Sequence, residues 1–364
     1  MRSAGANPNE VERARRLVLA HGWNATSYQV LNPGIELWFA AEGDGVIGFV
    51  RSGRTRVVAG APVCADDRVA AIATEFERDA AAHREQVCYF AAESRLAAAT
   101  RETSPRARLL LGAQPVWRPA RLVATIHERA SLRAQLHRAR NKGLTVTEWS
   151  AERAHDASLR RCLAEWLATR GLPALHFLVE TATLDGLFDR RLFVAERNGE
   201  PVAFLVATPI PARNGWLVEQ IVRGRRACNG TSELLLEAAA RAFAAVDARL
   251  VTLGLAPLAS HEAIATVAHP WWVRWLFAWL RAHGRRFYDF RGLEAWKAKF
   301  RPEAWEPVYA LAPGSQVGVR VLHSIAGAFA RGSPALLAMR AAARAVQTEV
   351  RSLFRSRSPR ALSR

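Results

Sequence analysis

The stretch RLFVAERNGEPVAFLVAT, residues 191–208, decides the fold of this chain. Two apolar runs flank Asn198-Gly199, which is the strongest short-range signal for a β-hairpin with a two-residue turn. A third strand is predicted at 216–223 (WLVEQIVR), so the segment is typical of a three-strand meander. After the meander come a glycine-bearing loop (Gly224–Thr231), a helix (SELLLEAAARAFAAV, 232–246) and a further strand (RLVTLGLA, 249–256).

The same order occurs earlier in the chain. IELWFAAE (35–42), the turn Gly43-Asp44-Gly45 and VIGFV (46–50) predict a hairpin, and RVVAGAPV (56–63) comes next. A helical stretch, Asp66–Glu85, and the strand QVCYFAAE (86–93) complete this copy. Two copies of one supersecondary order indicate an internal duplication.

A meander whose last strand enters a helix through a glycine-bearing loop, with another strand beyond, is the core order of the GNAT acyltransferase fold. We therefore predict an α/β (α+β) protein with tandem GNAT-like domains joined by a basic helix and followed by basic amphipathic helices. The expected divisions are an N-terminal helix (1–22), a first GNAT-like domain (23–128), a connecting helix (129–143), a second, catalytic domain (144–315) and a basic tail (316–364).

The charge of the chain favours anionic partners. Its 364 residues contain 51 Lys and Arg against 33 Asp and Glu, a formal net charge of +18, while half of the residues are hydrophobic. Such a composition is that of a folded protein and not of a disordered one, and its field attracts nucleic acid, phospholipid headgroups or polyphosphate.

The C-terminal tail carries nearly half of this excess. Residues 320–364 contain nine arginines and one acid, a net +8. Apolar residues recur there at helical spacing, which predicts a basic amphipathic helix. It either lies on an anionic membrane or packs on its own domain with solvated arginines. The arginines expected at the membrane are Arg340, Arg344, Arg351 and Arg355.

A second basic cluster, RAQLHRARNK, spans Arg133–Lys142 and ends at Gly143 in the manner of a helix C-cap. It contains no acid. Two interpretations stay open, a solvated helix face and a contact with phosphates. In the second, the tRNA or phosphate contacts are Arg133, Arg138, Arg140 and Lys142.

The loop Gly224–Thr231 (GRRACNGT) is a candidate anion site because it precedes a helix N-terminus, where backbone N–H groups favour negative charge. The alternative is a capped helix with exposed arginines. In the first copy the corresponding loop is only Ala59-Gly60-Ala61-Pro62, which is chemically poorer. The groups expected to bind phosphate or substrate are those of Arg225, Arg226, Asn229, Gly230 and Thr231 in this loop, together with Gln220, Lys297 and His176.

Neither a metal site nor a membrane-spanning helix is expected. The four cysteines lie far apart, without a CxxC pair or a His/Cys cluster, which argues against zinc and against a disulfide framework. The N-terminus has no secretory signal, so we expect a reducing cytoplasm. The most apolar segment, Trp271–Leu280, is interrupted by Arg274. Within it Trp271, Trp275 and Trp279 share one helical face, which serves either membrane docking or core packing.

Three further stretches carry a family resemblance: WLVEQIVRGRRACNGTSELLL (216–236), TLGLAPLAS (252–260) and FYDFRGLEAWKAKFRPEAWEPVY (287–309). There the sequence resembles the C-terminal catalytic domain of the phosphatidylglycerol lysyltransferase (multiple peptide resistance factor) family, and the resemblance extends from about Asn24 to Tyr309. Members of this family have two GNAT-like domains joined across a basic helix. They move an aminoacyl group from aminoacyl-tRNA to the glycerol headgroup of phosphatidylglycerol.

The resemblance implies the same activity here, with aminoacyl-tRNA and an anionic phospholipid membrane as partners, no cofactor and no metal. It also implies a location in the cytoplasm, peripheral on the inner face of the cell membrane. The family's integral membrane domain is missing from this sequence, which therefore resembles a stand-alone soluble form.

One departure from the family pattern concerns the strand 216–223. The family has an Asp three residues before the Arg that corresponds to Arg223, and this chain has Gln220. Glu219 is adjacent, but neighbouring side chains on a strand point to opposite faces unless a bulge rotates one of them inward. Glu219 is the first candidate for the base, and His176 the second.

The remaining candidates are cationic. Arg223 is expected to hold a phosphate by a bidentate contact. Lys297 and Lys299 are two residues apart and cannot share a helical face, so one of them is expected at the site, and the resemblance favours Lys299 as the catalytic residue.

Three functions compete on this basis. The first is a peripheral-membrane aminoacyltransferase that uses aminoacyl-tRNA and a hydroxyl-bearing lipid. The second is an acyltransferase that uses acyl-CoA, for which the loop lacks the usual glycine spacing. The third is a basic lipid- or RNA-binding module without catalysis, which Gln220 favours.

Overall fold

The computed structural model describes residues 7–101, 106–169, 177–178, 183–259, 270–283, 289–314 and 318–330. Within them, the helices are α1 (Pro8–His21), α2 (Val69–Ala82), α3 (Ser94–Ala99), α4 (Pro119–Glu128), α5 (Ala130–Asn141), α6 (Ala157–Ala168), α7 (Thr231–Ala244), α8 (Trp271–His283), α9 (Phe290–Ala298) and α10 (Val319–Ala330). The strands are β1 (Glu36–Phe39), β2 (Val46–Ser52), β3 (Thr55–Ala59), β4 (Gln86–Ala92), β5 (Arg106–Trp117), β6 (Leu144–Trp149), β7 (Arg191–Arg197), β8 (Glu200–Ile210), β9 (Gly215–Arg223), β10 (Leu250–Thr252), β11 (Ala256–Pro257) and β12 (Ala304–Pro313).

The predicted strand order occurs twice. In the first half, β1, β2 and β3 form an antiparallel meander, and β3 then pairs in parallel with β4 across α2. In the second half, β7, β8 and β9 form the meander, and β9 pairs in parallel with β10 across α7. The sequence did not predict β6, which extends this meander on the outer side of β7. The mixed α/β class and the GNAT-like architecture are confirmed.

The hairpin at Asn198-Gly199 has the geometry that its sequence predicts. Arg197 pairs with Glu200 across a two-residue turn. Asn198 has φ 53° and Gly199 has φ 75°, both in the left-handed region that a type I′ turn requires.

Both halves contribute to one sheet through an exchange of strands. Its order is β1-β2-β3-β4-β12-β5-β10-β9-β8-β7-β6. β5 follows the first half in sequence but pairs with β10 of the second, whereas β12 follows the second half but pairs with β4 of the first. At the centre β5 and β12 pair with each other from Arg106↔Pro313 to Val116↔Ala304. The two halves therefore share a single hydrogen-bonded sheet.

Helices cover both faces of this sheet. On one face, here called the front face, residues of α1, α8 and α10 share a core with β2, β3 and β12, and α6 packs against β7–β9. On the back face, α2 covers the first half, while α4, α5 and α7 cover the second. None of the described helices is long and apolar enough to cross a bilayer.

Candidate functional site

A β-bulge in β9 shapes the strand that carries the family motif. Gln220 lies opposite Val206 and Val218 opposite Ala207, so Glu219 is the extra residue on β9. Val218 and Ile221 both pack into the back core. The side chains of Glu219 and Gln220 therefore lie together on the front face, which is the rearrangement that a bulge was expected to cause.

Glu219 is engaged by a buried arginine. Arg190 donates from Nε to Oε2 of Glu219 at 2.9 Å and from Nη2 to Oε1 at 3.3 Å. The side chains are only 8% and 7% exposed. Arg190 also donates to the carbonyl of Gly186 at 2.5 Å and lies over the ring of Tyr28. Both carboxylate oxygens of Glu219 are thus engaged by one buried guanidinium, and the role of Glu219 as the base stays a prediction.

Gln220 is also buried and fixed. Its Oε1 accepts a hydrogen bond of 2.6 Å from Oγ1 of Thr183. The partners of Glu219 and Gln220 both come from residues 183–190, the segment that leads into β7. The neutral amide is thus integrated in the front-face packing as a hydrogen-bonding group.

Next to the bulge, β9 and β10 diverge. Their parallel pairing runs from Gly215↔Leu250 to Leu217↔Thr252. β9 continues to Arg223, whereas the chain after β10 turns at Gly254, which has φ 68°, and joins β5 through β11. Because Leu217 is level with Thr252, Gly254 comes level with the bulge. We call this divergence the β9/β10 cleft.

Lys297 reaches the backbone that forms one wall of this cleft. Its Nζ donates to the carbonyls of Gly254 at 2.8 Å and Leu255 at 2.9 Å. The residue is 4% exposed, and its burial lowers the pKa of the amine to about 7. With a pKa of about 7, a substantial fraction of this amine is neutral at physiological pH, which is the form that general base catalysis requires.

Lys299 points elsewhere, as expected for two lysines that cannot share a helical face. Its amine forms an ion pair with Glu233 in the first turn of α7. It also lies 5.1 Å from the ring centre of Trp296 and 5.0 Å from that of Phe300. The catalytic role of Lys299 stays a prediction, and the geometry favours Lys297 as the amine at the cleft.

The arginines of the loop Gly224–Thr231 lie at the surface. Arg223 donates to the carbonyl of Cys228 at 3.1 Å, and Arg226 forms an ion pair with Glu200. The backbone N–H of Arg225 donates to Glu165 of α6 at 2.7 Å. Asn229 is exposed, and Oγ1 of Thr231 donates to the carbonyl of Cys228 at 2.7 Å.

An open groove of about 400 Å³ is lined by Glu165, Trp166, Thr169, Arg223, Gly224, Arg225 and Ala227.

This loop packs directly against the basic helix. Gly230 has φ 94°, and a Cβ at this position would lie 2.1 Å from the carbonyl oxygen of Gln135 in α5. On α5, Arg138 and Lys142 are exposed, Arg133 donates to the carbonyls that end α4, and Arg140 forms an ion pair with Glu237. The two clusters that are separate in sequence thus form one surface, here called the α5–loop surface.

The contact at Gly230 predicts a large effect of one methyl group. Gly230→Ala should lower the free energy of unfolding by on the order of 3 kcal/mol, because the new Cβ meets backbone and the left-handed φ is strained. Gly199→Ala is the matched control, with φ 75° but no atom within 4 Å of an added Cβ. Denaturant unfolding of both variants checks this. If Gly230→Ala and Gly199→Ala lowered the free energy of unfolding equally, the close packing of the loop against α5 would be contradicted.

In the first half, the segment directly before α2 carries two acids. Asp66 and Asp67 stand before α2, and Asp66 pairs with Arg95 at 2.6 Å. Carboxylates near a helix N-terminus interact favourably with its positive end, so this helix start is less suited to an anionic ligand than that of α7.

Some predicted residues lie outside the described residues: His176, Arg340, Arg344, Arg351 and Arg355. Arg190 and Thr183 were missed, since nothing in the sequence around them distinguishes them from ordinary surface residues. Among the described residues no group of three or more His, Cys, Asp or Glu side chains could hold a metal ion.

Comparisons with known proteins agree with this architecture. The family model of the phosphatidylglycerol lysyltransferase C-terminal domain matches residues 15–312. A structure from Agrobacterium fabrum, described as the C-terminal domain of a putative lysylphosphatidylglycerol synthetase, has a TM-score of 0.74 at 21% identity and covers 90% of this chain and 99% of that one. L-PGS from Bacillus licheniformis has a TM-score of 0.73 at 21% identity, with 92% and 98% covered.

The structural likeness is at the level of the fold, and a search of curated proteins gives no match. The family model, by contrast, spans both halves of the sheet, including the β9 motif, the basic helix and Lys297. The chain therefore belongs to the family of phosphatidylglycerol lysyltransferase C-terminal domains.

Proposed function

We propose that this protein is an aminoacyltransferase that moves an amino acid from aminoacyl-tRNA to phosphatidylglycerol or a related hydroxyl-bearing lipid. Family membership and the GNAT-like fold support a transferase of the acyl or aminoacyl kind. The observation that carries the finer proposal is Lys297, a buried amine with a pKa of about 7 in the wall of the β9/β10 cleft.

In this reaction a lipid hydroxyl attacks the ester carbonyl of the aminoacyl-tRNA. The neutral Lys297 amine accepts the hydroxyl proton as the new carbon–oxygen bond forms. The bond to the ribose oxygen of tRNA then breaks, and the ammonium returns the proton to that leaving oxygen. The two substrates must also be held together, which alone supplies a large part of the acceleration.

The tRNA is assigned to the α5–loop surface. The exposed cations are Arg138 on α5, Lys142 directly after it, Arg223 at the end of β9 and Arg225 in the loop. The packing of Gly230 on Gln135 makes the two parts contiguous. A row of exposed cations suits the phosphates of a nucleic acid, whose binding is driven by counterion release. This row leads to the end of β9, beside the cleft.

Removing charge from this surface should weaken tRNA binding. Arg138→Ala combined with Lys142→Ala should lower affinity and reduce the slope of log K against log salt by about 1.4–1.8, since each phosphate contact contributes about 0.7–0.9. Arg54→Ala combined with Arg101→Ala is the control, because it removes the same charge from exposed positions in the first half. Filter binding over a salt series measures both. Equal slopes for the two double variants would contradict the assignment.

The activity is tested by incubating the purified chain with tRNAs charged with each amino acid and with phosphatidylglycerol vesicles. The proposal predicts labelled lipid that requires both charged tRNA and the lipid hydroxyl, so phosphatidylcholine gives none. Transfer from acetyl-CoA instead would support an acyl-CoA enzyme. Binding of both substrates without transfer would support a non-catalytic module, which the engaged state of Glu219 and Gln220 favours.

A further inference from the structure

Helix α8 exposes a stripe of tryptophans. Trp271, Trp275 and Trp279 recur every four residues and are 80%, 66% and 46% exposed. The other side of the helix, with Val273 and Phe277, packs into the front core. Large aromatic side chains bury a great deal of apolar surface when they find a partner, so a solvent-facing row of them marks a docking surface.

The surroundings of this stripe are basic and apolar. α8 contains Arg274 and Arg281 but no acid, and Arg274 is exposed within the stripe. α10, which shares the front core with α8, also contains no acid, and its first residue, Val319, is 68% exposed. Two acid-free helices, α8 and α10, thus lie on the front face of the first half beside α1, which carries Glu10 and Glu12.

We propose that α8 docks this protein on the surface of an anionic phospholipid bilayer, and this proposal rests on the proposed function in that the acceptor is such a lipid. Indole rings suit the membrane interface because an apolar body and a polar N–H are both satisfied there. Arg274 reaches the lipid phosphates from within the stripe. The net charge of +18 attracts the whole chain to the same surface.

A second copy of this chain fits the stripe less well. A two-fold contact centred on α8 would place Arg274 of each copy beside the other without an acid on the helix to offset it. A bilayer supplies the anions that such a dimer lacks.

Helix α8 also contacts the helix that carries the candidate base of the cleft. Arg281 forms an ion pair with Glu294 of α9 at 3.2 Å, and α9 carries Lys297. A bilayer held against α8 therefore lies beside the helix that positions the candidate base.

The test uses the full chain with Trp271→Ser and Trp275→Ser combined, and sedimentation with vesicles of equal parts phosphatidylglycerol and phosphatidylcholine. Vesicle binding should fall about tenfold or more. The double variant Trp271→Phe with Trp275→Phe keeps apolar rings and should retain most of the binding. Val246→Ser, which removes an apolar residue that is 56% exposed beyond the end of α7, should change nothing.

A second readout separates docking from catalysis. Transfer to vesicle lipid should fall with the serine variant, whereas transfer to monomeric short-chain phosphatidylglycerol should be unchanged. If neither acceptor is modified by the unaltered chain, the proposed function fails while sedimentation still tests docking. Unchanged sedimentation of the serine variant would overturn the docking proposal. The docking proposal would also be overturned if light scattering showed a dimer for the unaltered chain and a monomer for the serine variant while both bound vesicles equally.

Discussion

Replacing Lys297 by methionine is expected to lower the rate of aminoacyl transfer by about 10²–10⁴-fold, the range that a general base contributes. Methionine fills the buried space but cannot accept a proton. Lys297→Arg should fail as well, because a guanidinium stays protonated at any working pH. Single-turnover rates at saturating charged tRNA measure the chemical step, and thermal unfolding of each variant checks that the fold is retained.

Lys299→Met is the matched control, two residues away on the same segment. It removes the ion pair with Glu233 at the start of α7 and leaves the cleft amine in place. Its effect on the single-turnover rate should be much smaller than that of Lys297→Met. The reverse ranking would return the catalytic role to Lys299, as the family resemblance suggested.

The pKa of Lys297 also fixes the sign of a pH dependence. Below pH 7 the amine is protonated and cannot act as a base, and above pH 7 it is neutral. The rate should therefore rise through a pKa of about 7 and level off above it. In Lys297→Met this rise should be absent, and the same rise in that variant would assign the titration to another group.

Separating the two halves should abolish folding of the first. A fragment of residues 1–128 contains β5 but not β12, so β4 and β5 lose the strand that lies between them. It also lacks α8 and α10, which close the front core. We expect this fragment to show no cooperative unfolding by circular dichroism, and co-expression with residues 129–364 to restore it. Cooperative unfolding of the fragment alone would contradict the strand exchange.

The duplicated order could be predicted from sequence because its signals are local. Asn198-Gly199 specifies a tight hairpin, and alternating apolar runs specify the strands around it. The exchange of β5 and β12 has no local signal. Residues 106–117 and 304–313 pair although the whole second half lies between them in sequence, and no turn or residue spacing indicates that pairing.

The site was predictable only where its signals are local in sequence. The sequence indicated that Glu219 could face the site only if β9 contained a bulge. It did not indicate the buried partner Arg190, because only the packing of residues 183–190 against β9 brings the two side chains together. The choice between Lys297 and Lys299 likewise depends on the direction of each side chain at the C-terminal end of α9. Burial then decides the chemistry, since it is burial that lowers the pKa of Lys297.

The location of the reaction is tested most directly by a crystal structure with an adenosine that carries an aminoacyl group in amide linkage at the 3′ position. This stable mimic of the tRNA terminus keeps a carbonyl group at the position that the lipid hydroxyl attacks in the ester. The predicted result places that carbonyl in the β9/β10 cleft, with the Lys297 amine within about 3–4 Å of the attacking position. Binding of the mimic in the first half, between β3 and β4, or away from Lys297, would contradict it.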